Sequence, residues 1–240
     1  MKVSLRKTSL VDYPGKVAGV LFFPGCNLRC PWCHNRELVV GGEDGLIDIE
    51  EALGFISKRK QVLGGVVLSG GEPLLFYGLP QVIRKIKSLG LAVKIDTNGT
   101  NPAALEKICS DAETRPDYIA LDLKLAPSRY AELLAEVNPQ STPTVSEKLL
   151  HGAEFIKSSQ IPHEYRTLAL PNNFITAKDI EELAPLVDES PWYFRLFRPG
   201  NCLDPGWDAM EVPGMEEANA LAHKAKELGK KGISPTGGRY

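Results

Sequence analysis

Along the chain, short apolar and β-branched runs alternate with stretches whose apolar positions recur at helical spacing, the pattern of an α/β fold. The runs predict six strands: Val17–Phe23, Gly65–Leu68, Ala92–Asp96, Tyr118–Leu123, Glu164–Leu170 and Tyr193–Phe197. Local chemistry supports helices between them. Asp48 can cap Ile49–Arg59 with Glu51 as capping-box partner, and Asn101-Pro102 opens a later helix. Leu79–Leu89 ends at Gly90, Thr176 can cap Ala177–Val187, and Met215–Leu228 stops at Gly229.

Strand–helix–strand repetition with short links predicts parallel strands and right-handed crossovers, which build either an open doubly wound sheet or a complete or partial barrel. The polar and glycine-rich segments fall after strands: Pro24-Gly25-Cys26, Ser69-Gly70-Gly71-Glu72-Pro73, Asp96-Thr97-Asn98-Gly99, Asp122-Leu123-Lys124, Pro171-Asn172-Asn173 and Arg198-Pro199-Gly200-Asn201. In parallel α/β architectures the carboxyl ends of the strands share one face, so a single large site is expected there.

Composition narrows the class. A chain of 240 residues, 43% of them apolar, can bury a substantial core, and a single domain is expected, with a core of about 8–197 and a C-terminal extension, 198–240, that carries no assignable motif. With 28 basic and 30 acidic residues no broad surface for nucleic acid is evident. The N-terminus lacks an apolar signal region and no stretch is long enough to span a bilayer, so a cytoplasmic protein without a membrane partner is expected.

Five cysteines do not make a disulfide scaffold in a chain this long, and Cys26, Cys30 and Cys33 lie too close together to staple distant segments. Their loop, Cys26-Asn-Leu-Arg-Cys30-Pro-Trp-Cys33, instead offers three soft thiolates to one inorganic group, and thiolates favour iron–sulfur clusters, zinc or copper(I). On a four-iron cubane, three cysteines leave one iron open to an exogenous ligand. The competing reading is a structural Cys3His zinc site with His34 as fourth ligand. Neighbouring side chains such as Cys33 and His34 diverge, however, and no second knuckle follows. Cys109 reads as a core residue and Cys202 as a thiol in a Pro/Gly loop. His151, His163 and His223 match no ligand pattern and read as surface or packing residues.

C-x3-C-x2-C with an aromatic, here Trp32, before the last cysteine resembles the signature of the radical S-adenosylmethionine (SAM) superfamily. The resemblance implies a partial (β/α)6 TIM-like barrel, a [4Fe–4S] cluster on Cys26, Cys30 and Cys33, and SAM chelated to the open iron. In that family SAM is cleaved reductively to methionine and a 5′-deoxyadenosyl radical, and the carbon chemistry belongs to the cofactor. Gly70-Gly71-Glu72-Pro73, about 40 residues after the cysteines, matches the GGEP segment, whose backbone and glutamate engage the methionine amino group. Glycines allow close backbone approach and a carboxylate pairs with an ammonium.

Asp12-Tyr13-Pro14-Gly15, Gly25-Cys26-Asn27, Cys33-His34-Asn35, Asp96-Thr97-Asn98-Gly99 and Asp122-Leu123-Lys124 resemble glycyl-radical-enzyme activases, above all those of anaerobic ribonucleoside-triphosphate reductases, with pyruvate formate-lyase activating enzymes as relatives. By that resemblance Asp96 and Asp122 line the methionine end of SAM, with a monovalent cation as a further cofactor, and Asn98 is a further cofactor-binding residue. Lys124 meets the methionine carboxylate, and Lys124 and Asp96 are the candidate catalytic residues. Arg166 is placed for a carboxylate or ribose. The alternatives are a strand-end ion pair for Asp96, Asp122 and Lys124, and a structural salt bridge for Arg166. Arg36 stands where the family often has Pro. The implied partners are a glycyl radical enzyme and a flavodoxin- or ferredoxin-like electron donor. The competing functions are radical SAM chemistry on a small molecule, in cofactor or modified-base biosynthesis, and a zinc-stabilised binding module.

Overall fold

The computed structural model describes residues 1–42, 45–134 and 144–235, so the last five residues of the C-terminal extension lie outside the described residues. The chain gathers into two compact units interleaved in sequence: Met1–Asn27, Glu37–Thr97 and Ala103–Ile119 form the first, and Leu28–Arg36, Asn98–Pro102 and Ala120–Tyr240 the second. The division runs through the cysteine loop, leaving Cys26 in the first unit and Cys30 and Cys33 in the second.

The first unit holds β1 (Lys2–Ser9), β2 (Ala18–Phe23), β3 (Ile47–Asp48), β4 (Gly65–Gly70) and β5 (Ala92–Thr97), in the order β3-β1-β2-β4-β5. β2 pairs in parallel with β4, Ala18 opposite Gly65 through Phe23 opposite Gly70, and β4 pairs in parallel with β5. These are the predicted parallel strands. β1 and β3 are additions to the prediction and pair antiparallel. Only Val3 and Ser9 of β1 are buried, so its sequence carries little hydrophobic signal.

The helices α1 (Arg36–Val40), α2 (Ile49–Arg59), α3 (Leu79–Ser88) and α4 (Pro102–Cys109) follow their strands. Ala52, Leu53 and Ile56 are buried along α2, and Val82, Ile83 and Ile86 along α3, the i, i+3, i+4 stripes that amphipathic helices present to a sheet. Asp48 does cap α2, but its carboxylate accepts from the Glu50 N–H and no box with Glu51 forms. On the opposite face of the sheet Tyr13, Ala18, Val20 and Val67 make an apolar cluster joined by Phe22, Ala92 and Tyr118. Burial there, with Asp117 nearby, pushes the Tyr13 hydroxyl up to about 12.

β6 (Tyr118–Asp122) begins in the first unit and ends in the second. The second unit adds β7 (His163–Ala169), β8 (Trp192–Leu196) and β9 (Gly232–Ile233), consecutive and parallel, with α5 (Val145–Ser158), α6 (Ala177–Leu183) and α7 (Met215–Glu227). The α5 helix, missed in the sequence, starts on a Thr144–Glu147 capping box. Thr176 caps α6 as expected, with Asp179 as its partner. Tyr165, Trp192 and Phe194 are fully buried, beside the alanine stripe Ala218, Ala222 and Ala225 of α7. His163 is a packing residue: its Nδ1–H donates to the Ile161 carbonyl at 2.7 Å and its Nε2 meets Asp188 at 3.1 Å.

Candidate functional site

In the first unit the end of β4 is locked onto the turn that carries Cys26. The Gly71 N–H donates to the Phe23 carbonyl and the Glu72 N–H to the Gly25 carbonyl, both at 2.8 Å. Both glycines are required by space. Gly70 has φ of +120°, and a Cβ on Gly71 would lie 2.0 Å from the Gly25 oxygen and 3.3 Å from Cys26 Cβ. The glycines read as ligand-facing thus also seat the strand end against the turn bearing the first cysteine.

Glu72 is 1% exposed. Its Oε1 accepts from the Leu74 N–H at 3.1 Å and from the Thr97 hydroxyl at 2.9 Å, capping the short turn Pro73–Leu75. Asp96 meets a partner the sequence reading missed. Lys94, 1% exposed, brings Nζ to 2.9 Å from Asp96 Oδ1 and donates to the Asp12 carbonyl at 2.7 Å. The signal was a lysine flanked by the apolar residues Ala92, Val93 and Ile95 of a strand, where an unpaired charge would not survive burial. The Asp12-Tyr13-Pro14-Gly15 segment therefore anchors Lys94, and Lys94 supplies a positive charge at Asp96.

In the second unit Cys30 and Cys33 are joined by one turn, the Cys33 N–H donating to the Cys30 carbonyl at 3.0 Å. Trp32 is buried with its ring 5.7 Å from that of Phe174. Asn98 Oδ1 accepts from the Thr100 N–H and hydroxyl at 2.9 and 2.7 Å, an Asx turn that shapes the loop after β5.

Asp122, at the end of β6, takes Arg166 Nε at 2.6 Å and Lys124 Nζ at 3.3 Å. Tyr130 locks the backbone: its hydroxyl accepts from the Lys124 N–H at 3.1 Å and donates to the Asp122 carbonyl at 3.4 Å. Burial alone would raise the Asp122 carboxyl, but Arg166, Lys124 and Arg195 outweigh it and hold it well below the usual carboxylate range. Burial would likewise lower Lys124, yet Asp122, the Cys30 and Cys33 thiols and Tyr130 hold it above the ordinary lysine value. Tyr130 and Arg195 were not found from sequence, where neither belongs to a motif.

No cysteine forms a disulfide. Among the described residues no three His, Cys, Asp or Glu side chains sit close enough to hold one metal ion; cysteines that bind separate irons of a cluster need no such convergence. His34, the fourth ligand of the zinc reading, donates Nδ1–H to the Gly200 carbonyl at 3.1 Å. The donor set, three thiols with a half-buried lysine within electrostatic reach of two of them, suits an iron–sulfur cluster.

The sequence profile of the radical SAM superfamily matches residues 20–184, and the chain belongs to that superfamily. It is 30% identical over 221 residues to a protein of Methanocaldococcus jannaschii named by inference as a glycyl-radical enzyme activating enzyme, covering 91% of this chain and 89% of that one. A pyruvate formate-lyase-activating enzyme of Listeria monocytogenes is 27% identical over 78% of this chain and 76% of its own length. Within the superfamily the chain is therefore an enzyme of the glycyl-radical-enzyme activating type, whose cofactors are a [4Fe–4S] cluster and SAM. The zinc-module alternative is overturned. A radical SAM methyltransferase from Sphaerobacter thermophilus shares the α/β fold, with a TM-score of 0.67 at 15% identity; the match covers 91% of this chain and 65% of the methyltransferase. Among the described residues no helix is long and apolar enough to cross a membrane.

Proposed function

We propose that this enzyme installs a radical on a backbone glycine of a partner glycyl radical enzyme, and that the partner is an anaerobic ribonucleoside-triphosphate reductase. The observation that carries the activase reading is the similarity to the M. jannaschii protein over 91% of this chain. The finer partner rests on the Asp12-Tyr13-Pro14-Gly15 and Cys33-His34-Asn35 resemblance.

Cys26, Cys30 and Cys33 would hold the cluster and leave one iron open for SAM. When bound, cluster and SAM together supply the electron and the organic radical that takes the glycine Cα hydrogen. The chain's own residues bind and orient. Glu72 offers a buried carboxylate to the methionine ammonium, Gly70 and Gly71 present backbone at close range, and Trp32 supports the loop. Lys124 stays protonated and with Arg166 receives the methionine carboxylate; Asp122 holds both cations in place, and Asp96 and Asn98 shape the loop after β5. A flavodoxin- or ferredoxin-like protein is the electron donor in this reading.

The test is anaerobic reconstitution with iron, sulfide, SAM, dithionite and a reductase whose glycines carry α-deuterium. Deuterium in the released 5′-deoxyadenosine, with a glycyl radical seen by electron paramagnetic resonance (EPR), is the expected result. Product formation without deuterium transfer would redirect the chemistry to a small molecule.

A further inference from the structure

The C-terminal extension carries no motif, yet its start is bonded to the cysteine loop. The Leu203 N–H donates to the Cys33 carbonyl and the Asp204 N–H to the Pro31 carbonyl, both at 2.9 Å. Three residues on, Trp207, 6% exposed, packs its ring 5.2 Å from Trp32, 5.3 Å from Phe174 and 5.9 Å from Phe197. Asp208 then closes the segment on itself, its carboxylate accepting from the Gly200 N–H at 2.7 Å and the Cys202 N–H at 3.1 Å. The Gly200 carbonyl takes the His34 Nδ1–H, so the residue after Cys33 is tied to the same segment.

These contacts lie on the two residues before Cys33, on Cys33 itself and on the residue after it. Each backbone residue of a loop retains conformational freedom until contacts fix it. Two backbone hydrogen bonds and an aromatic wedge against Trp32 remove that freedom where the last cysteine projects. Supporting contacts of this kind orient metal ligands and govern how firmly the metal is kept.

We propose that Gly200–Asp208 is a brace for the cluster loop, and that Trp207 and Asp208 are positioning residues that set the retention and electronic environment of the cluster through Pro31, Trp32 and Cys33. This rests on the reading that those cysteines hold a cluster. Trp207 acts through Trp32, and Asp208 acts by holding the loop that delivers the Leu203 and Asp204 N–H groups.

The experiment compares full-length wild type with Trp207→Ala, Trp207→Phe and Asp208→Ala after anaerobic reconstitution. It measures iron and sulfide per chain, the rate of iron loss to a chelator, and the EPR line shape of the reduced cluster with and without SAM. Circular dichroism and thermal melts report the fold. The expected result is iron loss about tenfold or more faster in Trp207→Ala, an altered line shape, and near-complete recovery in Trp207→Phe, which keeps the aromatic wedge. Asp208→Ala, at a partly exposed position, changes in the same direction and decides the matter should Trp207→Ala fail to fold. Folded variants with wild-type iron retention and line shape would overturn the brace. A wild type that assembles no iron–sulfur cluster would instead overturn the underlying reading.

Discussion

Gly71→Ala isolates the coupling between the GGEP segment and the turn bearing Cys26. The new methyl carbon would lie 2.0 Å from the Gly25 oxygen, whereas an unstrained carbon–oxygen contact needs about 3.3 Å. The two backbones must separate by roughly 1.3 Å, the difference between those distances. Both bonds across the contact, Gly71 N–H to Phe23 and Glu72 N–H to Gly25, start at 2.8 Å, so the same retreat carries them past about 4 Å, beyond hydrogen-bonding range. Each lost bond that leaves a sheltered donor unmade costs about 1–3 kcal/mol, giving about 2–6 kcal/mol in all, against a typical total of about 5–15 kcal/mol. Gly15→Ala is the control: φ there is +70° but nothing lies within 4 Å of the added carbon, so only left-handed backbone strain of about 1–2 kcal/mol applies. Urea unfolding of the three proteins measures the stabilities, and iron content after reconstitution reports the Cys26 turn. Gly71→Ala no less stable than Gly15→Ala, with wild-type iron content, would refute the reasoning.

Cys30→Ala should abolish cluster assembly and SAM cleavage while Cys202→Ala retains wild-type iron and sulfide; equal iron in both variants would remove Cys30 from the ligand set. Glu72→Gln keeps an acceptor for the Leu74 N–H and Thr97 hydroxyl but loses the charge, so SAM affinity should fall about tenfold, ~1.4 kcal/mol, with iron content unchanged; a parallel loss of iron would make Glu72 structural. Asp122→Asn leaves Lys124 and Arg166 without their counter-ion and should cost about 1–3 kcal/mol. Because the Asp122 carboxyl is depressed in the folded state, its contribution is complete above the unfolded value of about 3.9 and is lost as pH falls through the folded one. The stability difference between wild type and Asp122→Asn should accordingly hold from neutral pH to about pH 4 and shrink below it; a pH-independent difference would exclude the charge mechanism. Lys124→Met should weaken SAM binding in calorimetric titration, whereas Lys94→Met should mainly lower stability, by about 3 kcal/mol, since it strands the Asp96 charge in a buried pair. The reverse pattern would exchange the two roles.

The strands β2 and β4 were readable because each is a mostly apolar, largely buried run that ends in residues no strand prefers, as Gly70-Gly71 ends β4. The same logic hid β1, whose exposed positions are filled by Lys, Arg and Thr and whose pairing with β2 is antiparallel. The Asp48 capping box failed because Asp48 is also the last residue of β3, in register with Lys2, so its backbone belongs to a strand pair. The three cysteines were legible from spacing because a short loop fixes their proximity. Lys94 and Trp207 were not, since each reaches its partner across many residues of sequence: Lys94 to Asp12, Trp207 to Trp32.

Asp96 and Asp122 stood alike in the sequence, each an aspartate at a strand end within a short motif, but their charge environments differ. Asp96 faces Lys94, which is 1% exposed and spends a second bond on the Asp12 carbonyl; one carboxylate and one ammonium make a neutral pair tied into the first unit's core. Asp122 faces Lys124 and Arg166 directly, with the more distant Arg195 adding to the same field. Lys124 also lies within electrostatic reach of Cys30, Tyr130 and Cys33. Partly desolvated charges interact strongly at short range, so a lysine and an arginine on one carboxylate hold it ionised. The two aspartates thus sit in different charge environments, a buried lysine at Asp96 and a lysine with an arginine at Asp122, although their motifs look alike in the sequence.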